Sequence, residues 1–167
     1  MGEVNLIEVS KRFTLKTEAG LQQVQALERV SFSVRDAEIV ALIGPSGCGK
    51  TTILKTINRL VEPSAGRIEI AGMHPPAADP ASLRRHIGYV FQEAGLFPHM
   101  TVAENVAITP RLLGWPRPRI AARVTELLAL VRLEAPALGD RYPHELSGGQ
   151  RQRVALARAL AAQPAIM

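Results

Sequence analysis

The segment Gly44-Pro45-Ser46-Gly47-Cys48-Gly49-Lys50-Thr51-Thr52 constrains this chain more than any other feature. It fits the pattern G-x-x-x-x-G-K-[ST], in which glycines without a Cβ let the backbone curl until successive N–H groups point inward at an anion. Before it, Glu38-Ile39-Val40-Ala41-Leu42-Ile43 is a short apolar run rich in β-branched residues and reads as a buried strand. After it, Ile53, Leu54, Ile57 and Leu60 recur at helical spacing. Strand, glycine loop and helix in that order make a phosphate cradle, to which the helix N-terminus adds partial positive charge. In such a cradle Lys50 bridges the β- and γ-phosphates of a nucleoside triphosphate, and Thr51 places its hydroxyl on Mg²⁺.

The rest of the chain supplies an α/β frame around that loop. Asn5 to Val9, Gln22 to Leu27 and Val30 to Val34 read as short strands of an antiparallel sheet. Phe13, between the first two, is either a core residue or an apolar platform for a nucleotide base. Pro63-Ser64-Ala65-Gly66 marks a turn, Arg67 to Gly72 alternates like an exposed edge strand, and His74 to Pro80 reads as a loop. Ile87-Gly88-Tyr89-Val90-Phe91-Gln92 reads as a second buried strand ending in a polar residue.

Beyond Gln92 the pattern becomes helical. Thr101 with Glu104 predicts a capping box opening a helix through Val106 and Ala107, which Pro110 and Gly114-Trp115-Pro116 interrupt. Ile120, Val124, Leu127, Leu128 and Val131 form one apolar face of a second helix. Asp140 to Leu146 is a loop, and a third helix runs from Gly148 or Gly149 through Val154, Leu156, Ala157, Leu160 and Ala161 until Pro164. Ala165-Ile166-Met167 begins a further apolar strand. The expected division is therefore a β subdomain with the phosphate-loop core over 1–92, a helical subdomain over 93–160, and the start of a strand over 161–167.

Composition narrows the class. At 47% hydrophobic residues the chain is globular rather than disordered. Its apolar runs fall far short of the roughly 20 residues needed to cross a bilayer, and the start of the chain lacks a signal-peptide pattern, so it is expected to be cytosolic. One cysteine excludes an internal disulfide, and that Cys48 reads as a small filler in the loop. A net charge of +5 raises nucleic acid as a partner. The arginines are dispersed, however, at Arg84, Arg85, Arg111, Arg117, Arg119, Arg123, Arg132, Arg141, Arg151, Arg153 and Arg158, which reads as solvated helix faces, so no nucleic acid is expected. His74, His86, His99 and His144 lack metal-ligand spacing and read as surface or structural residues.

Leu146-Ser147-Gly148-Gly149-Gln150, taken alone, is an ordinary helix N-cap. Behind a complete phosphate loop, with Gln92 between them and an Arg-rich helix after it, it resembles the signature of the ATP-binding subunit of ABC transporters. The resemblance covers nearly the whole chain. Within the family it is nearest to the glycine betaine and related quaternary-amine (osmoprotectant) importers. The segments that carry this are Ile57-Asn58-Arg59-Leu60-Val61-Glu62-Pro63-Ser64-Ala65-Gly66, Ile87 to Gln92 with Gly95-Leu96-Phe97-Pro98-His99-Met100-Thr101, and Asp140-Arg141-Tyr142-Pro143-His144-Glu145 running into Leu146 to Gln150.

That resemblance implies a P-loop NTPase core of the ABC ATPase type, with an N-terminal antiparallel β subdomain, a helical insert, and ATP with Mg²⁺ as ligands. It implies that Gly44, Pro45, Ser46, Gly47, Cys48, Gly49, Lys50, Thr51 and Thr52 hold the phosphates of one nucleotide. Ser147, Gly148 and Gly149, with Gln150, would meet the γ-phosphate held by a second subunit, giving two sites across a head-to-tail dimer. Gln92 would touch Mg²⁺ and the attacking water and share the catalytic role with Lys50, and Phe13 would take the adenine-stacking position that relatives often fill with tyrosine. Implied partners are an identical or paired ATPase subunit, membrane-spanning permease subunits and, indirectly, a solute-binding protein, at the cytoplasmic face of a bacterial inner membrane.

The family's next elements are a strand ending in Asp-Glu, a dimer-contact loop and a switch histidine. None occurs here, although Pro164-Ala165-Ile166-Met167 is similar to the start of that strand. The full-length protein is expected to hydrolyse ATP, whereas residues 1–167 alone are expected to hydrolyse it negligibly and to leave apolar sheet surface uncovered. Three other readings stand beside this one: a soluble ABC-class ATPase of DNA repair or translation, a non-catalytic nucleotide-binding module, and a P-loop kinase, in which Leu146 to Gln150 would lack a purpose. The first needs a long coiled-coil insert between Gln92 and Ser147, or tandem cassettes, and neither is visible.

Overall fold

The computed structural model describes residues 2–18, 20–70, 79–133 and 138–167, so His74 and most of the loop expected around it lie outside the described residues. Two compact units are present, Met1–Arg84 and Arg85–Met167. Residues 85–92 thus group with the helices that follow them, whereas the sequence reading drew the division after Gln92.

The first unit is built on one long hairpin. Strand β1 (Val4–Thr17) pairs antiparallel with β2 (Gly20–Val34) and, on its other side, with β3 (Ala65–Ile70), giving the order β2-β1-β3. Val4 and Leu6 are buried at alternate positions, but the next buried residue is Val9. A bulge at Glu8, with φ 51°, absorbs the extra residue and restores the inward face. On β2, Arg29 adopts φ 46°, and its side chain pairs with Glu8 at 2.5 Å. The Arg29 hydrogen bond and charge hold the Glu8 carboxyl below its ordinary range. Ser31 Oγ accepts from the Glu8 N–H, and Ser10 Oγ accepts from the Arg29 N–H, so the donors freed by the bulges are satisfied. The reading of Gln22 to Leu27 and Val30 to Val34 as separate strands is corrected by this bulge, which bends β2 without ending it.

Gly66 shows how closely β3 meets the bulge. It has φ 80°, and a Cβ there would stand 2.3 Å from the Glu8 carbonyl oxygen. Gly66→Ala is expected to cost about 2 kcal/mol or more, combining left-handed backbone strain with a clash against main chain. A urea unfolding midpoint no lower than that of the parent chain would refute this.

Two strand expectations fail. Glu38 to Ile43 joins no sheet among the described residues, and Ile39 and Ile43 are 97% and 93% exposed. Ile87 to Gln92 makes one parallel bridge, Ile87 with Ile166, and Val90 and Phe91 are exposed. Both runs carry the apolar, β-branched composition of interior strands, but such strands exist only when neighbours on both sides take up their N–H and C=O groups. Apolar side chains are uncovered at these places.

Helix α1 (Lys50–Ile57) follows the glycine loop, as read. A short helix that the sequence reading missed, α2 (Pro80–Arg85), follows Asp79, whose side chain accepts from the Ala81 N–H; proline at the first helical position was the available signal.

In the second unit α3 (Val102–Leu112), α4 (Arg117–Leu130) and α5 (Gly148–Leu160) pack around one core. Val102, Val106, Val124, Leu127, Leu128 and Val154 are its centre. Full burial of each such side chain contributes about 1.5–3 kcal/mol. The Thr101–Glu104 capping box forms reciprocally, at 3.2 and 2.9 Å. Pro110, however, does not interrupt α3, which runs on to Leu112. Only one intrahelical bond is lost near the end of the helix, and the proline ring is fully buried. Asn105, also fully buried, ties the preceding loop to α3: its Oδ1 accepts from Phe97 N–H, and its Nδ2 donates to the carbonyls of Phe97, Met100 and Thr101.

The arginines are not simply solvated faces. Arg123 donates to the Leu160 carbonyl at the end of α5, Arg153 to the Val131 and Arg132 carbonyls past α4, and Arg151 to Leu146. Arg158 donates to Ala94 and Gly95, and in the first unit Arg84 donates to Arg59. Each satisfies carbonyls that helix ends and turns leave unpaired.

Candidate functional site

The loop Gly44 to Gly49 turns by left-handed backbone at three glycines, Gly44 (φ 155°), Gly47 (83°) and Gly49 (97°). Gly49 is also packed: a Cβ would lie 2.6 Å from the Ala26 carbonyl oxygen and 2.7 Å from Leu27, so the glycine seats the start of α1 against β2. As N-cap it has no side chain to accept from the first-turn amides of α1, which keeps the N–H groups of Lys50, Thr51 and Thr52 free of a side-chain cap. The Lys50 ammonium spans the loop, donating to the Gly44 and Pro45 carbonyls at 2.8 and 2.7 Å and reaching Cys48 Sγ at 3.5 Å. Ser46, Cys48 and Thr51 are exposed, and Thr52 is half-buried. The arrangement places a cation beside the positive end of a helix dipole on an exposed loop, which suits a polyphosphate.

Phe13 is half-buried on β1 opposite Val24, with Lys11 Nζ 5.1 Å from its ring centroid. One ring face therefore carries a cation.

In the second unit Ser147 caps α5. Its Oγ accepts from the Gln150 N–H at 3.2 Å, and Gln150 Oε1 accepts from the Ser147 N–H at 2.8 Å. Ser147, Gly148 and Gly149 are exposed. The fold does not require glycine at either position. Neither has a positive φ, a Cβ at Gly149 meets nothing within 4 Å, and one at Gly148 meets only the Arg151 guanidinium at 4.0 Å. Each glycine costs the helix roughly 1 kcal/mol relative to alanine. Glycine at such positions is explained when a body outside the chain approaches the backbone closely.

Gln92 is exposed, and its carbonyl accepts from Gln152 Nε2 of α5 at 2.7 Å. Two turns further along α5, Arg158 donates to Gly95 at 2.7 Å and Ala94 at 2.9 Å; burial pulls its guanidinium below the ordinary range. The sequence reading missed the role of Arg158. The signal was a charged residue on the apolar stripe Val154, Ala157, Arg158, Ala161. Sequence-predicted residues thus fall in two groups, Gly44 to Thr52 with Phe13 in the first unit, and Gln92 with Ser147 to Gln150 in the second.

Among the described residues no three His, Cys, Asp or Glu side chains gather as a metal site, and no helix is long and apolar enough to cross a membrane. His99 sits edge-on to Phe97, and His144 stacks on Tyr142.

Residues 27–167 match the family model described as ABC transporter. The choline transport ATP-binding protein OpuBA of Bacillus subtilis is 52% identical over 143 residues, which are 86% of this chain and 37% of that protein. The osmoprotectant import ATP-binding protein OsmV of Salmonella typhimurium is 46% identical over 164 residues, 98% of this chain and 42% of that protein. The chain therefore spans about two fifths of the length of these curated relatives. A bacterial ABC transporter cassette solved as a dimer superposes with a TM-score of 0.83 at 35% identity, covering 96% of this chain and 70% of that one.

Proposed function

This chain belongs to the ABC transporter family, and on that footing we propose that the whole protein is the ATP-binding subunit of an importer for an osmoprotectant such as glycine betaine, choline or carnitine. The nucleotide-binding part of this reading is carried by the glycine-opened, solvent-facing N-terminus of α5, whose glycines answer to no close packing among the described residues, and the solute is suggested by the relatives.

Lys50 leaves the loop carbonyls for the β- and γ-phosphates of ATP, and the N–H groups of Gly44 and of Ser46 to Thr52 complete the cradle. Thr51 offers one hydroxyl oxygen. Mg²⁺ suits such a site, since it is commonly held by one or two protein oxygens plus phosphates and water, and bound there it neutralises charge on the leaving and transferred groups. The Gln92 side chain orients the attacking water, and Phe13 offers its ring to the adenine. Ser147, Gly148 and Gly149 bind the γ-phosphate of the nucleotide on a partner cassette. The closed dimer is favoured only while that phosphate bridges both halves, so hydrolysis reopens it. Membrane-spanning permease subunits, which this subunit meets at the cytoplasmic face of the membrane, follow the cycle, and a solute-binding protein feeds them.

The test is ATP-driven uptake by the complete gene product reconstituted with its permease in proteoliposomes. Uptake of a quaternary amine is expected; uptake of a polyamine or an oxyanion instead would reassign the solute. A thiol probe offers a check on the loop alone. Cys48 is the single cysteine and is exposed, so its labelling by a maleimide is expected to slow several-fold with ATP and Mg²⁺. Equal labelling rates would remove the loop from the binding site.

A further inference from the structure

One helix carries both the Ser147 cap and the fastenings of the Gln92 loop. Gln152 holds the Gln92 carbonyl, and the Arg158 fork holds the next two carbonyls but one, those of Ala94 and Gly95. Arg158 is 8% exposed, and no carboxylate pairs with it among the described residues. The buried guanidinium is answered by these two carbonyls and by the Phe97 ring, whose centroid is 5.9 Å away, and an apolar side chain in its place would leave both carbonyls unpaired. What the guanidinium supplies is a rigid two-pronged donor. The loop it grips is strained: Ala94 and Gly95 both lie in the left-handed region, at φ 58° and 56°, and Ala94 is buried. Such a conformation persists where its surroundings over-determine it.

We propose that Arg158 and Gln152 are positioning residues that lock the Gln92 loop to the signature helix, so that Gln92 and the Ser147 end move as one body. This rests on the proposed function, in which Gln92 serves the nucleotide on its own phosphate loop and Ser147 serves the nucleotide on the partner. Under that arrangement the lock is what makes the two sites of a dimer report to each other. Loss of the lock leaves each site able to bind ATP but uncouples its Gln92 from the opposite γ-phosphate.

The experiment measures steady-state ATP hydrolysis against ATP concentration for the complete gene product assembled with its membrane subunits. Arg158→Met and Gln152→Ala are expected to lower kcat about tenfold and move the Hill coefficient from near 2 toward 1, with affinity for a fluorescent ATP analogue changed less than about threefold. Arg158→Lys, which keeps the charge but not the fork, is expected to fall between. In a Gln92→Ala background Arg158→Met is expected to add little, as for groups acting through one another. Arg153→Met is the control for a lost arginine staple, since it removes a surface arginine of the same helix that holds two carbonyls away from the Gln92 loop. A kcat and Hill coefficient for Arg158→Met matching those of Arg153→Met, or a wild-type Hill coefficient of one, would overturn the proposal. Gln152 is exposed, so Gln152→Ala decides the matter if Arg158→Met fails to fold. Unimpaired hydrolysis in Lys50→Ala and Gly149→Asp would instead sink the underlying reading and leave the physical clamp intact.

Discussion

Lys50→Ala is expected to lower ATP hydrolysis by the complete protein by about 10²–10³-fold and to weaken binding of a fluorescent ATP analogue, with little change in folding stability. The ammonium is the one lysine of the loop, and its hydrogen bonds run to two loop carbonyls and a sulfur at the surface. Losing those bonds from an exposed position costs about 1 kcal/mol or less. Losing a cation aimed at transferring phosphate removes a preorganised charge where charge develops, an effect worth roughly 3–4 kcal/mol when one such donor is deleted. Unchanged analogue affinity, or a large drop in melting temperature accounting for the whole loss, would defeat the assignment.

The second large effect is expected from Gly149→Asp, and its force lies in opposite signs. Gly149 is the second residue of α5, with open space around it. Aspartate there replaces a poor helix former and places a carboxylate at the positive end of the dipole, each favourable by a few tenths to about 1 kcal/mol. The variant should therefore melt no lower than wild type, and its own phosphate loop should bind ATP as before. Yet a carboxylate set against an incoming γ-phosphate places like charges in contact, so ATP-dependent dimerisation and hydrolysis are expected to fall at least about 10²-fold. Retained hydrolysis at a raised melting temperature would mean that the end of α5 never meets a phosphate.

Local chemistry was legible in the sequence wherever a short segment decides its own conformation. The glycine loop, the Thr101 and Ser147 caps and the apolar face of α4 depend on residues within a few positions of one another, and each is found as read. Elements whose existence depends on distant partners were not. Glu38 to Ile43 and Ile87 to Gln92 have the side chains of interior strands, but a ladder needs neighbours that sequence periodicity does not count. The arm Ser10 to Thr17 failed the other way: it is strand with little burial on either face, so it lacks the in-out contrast on which strand reading relies. The Arg158 grip on Ala94 and Gly95 spans more than sixty residues of chain, and only the packed unit brings those groups together.

Five guanidiniums spent on main-chain oxygens also fix the chain's electrophoretic character. Arg84, Arg123, Arg151, Arg153 and Arg158 are half-buried or tied into turns, so a variant recharged for ion-exchange purification or crystallisation must leave them alone. The adjustable positions are cations such as Arg12 and Arg35, on the exposed strand surface and just beyond it. A quarter of the chain's 20 lysines and arginines is thus committed to fastening its turns.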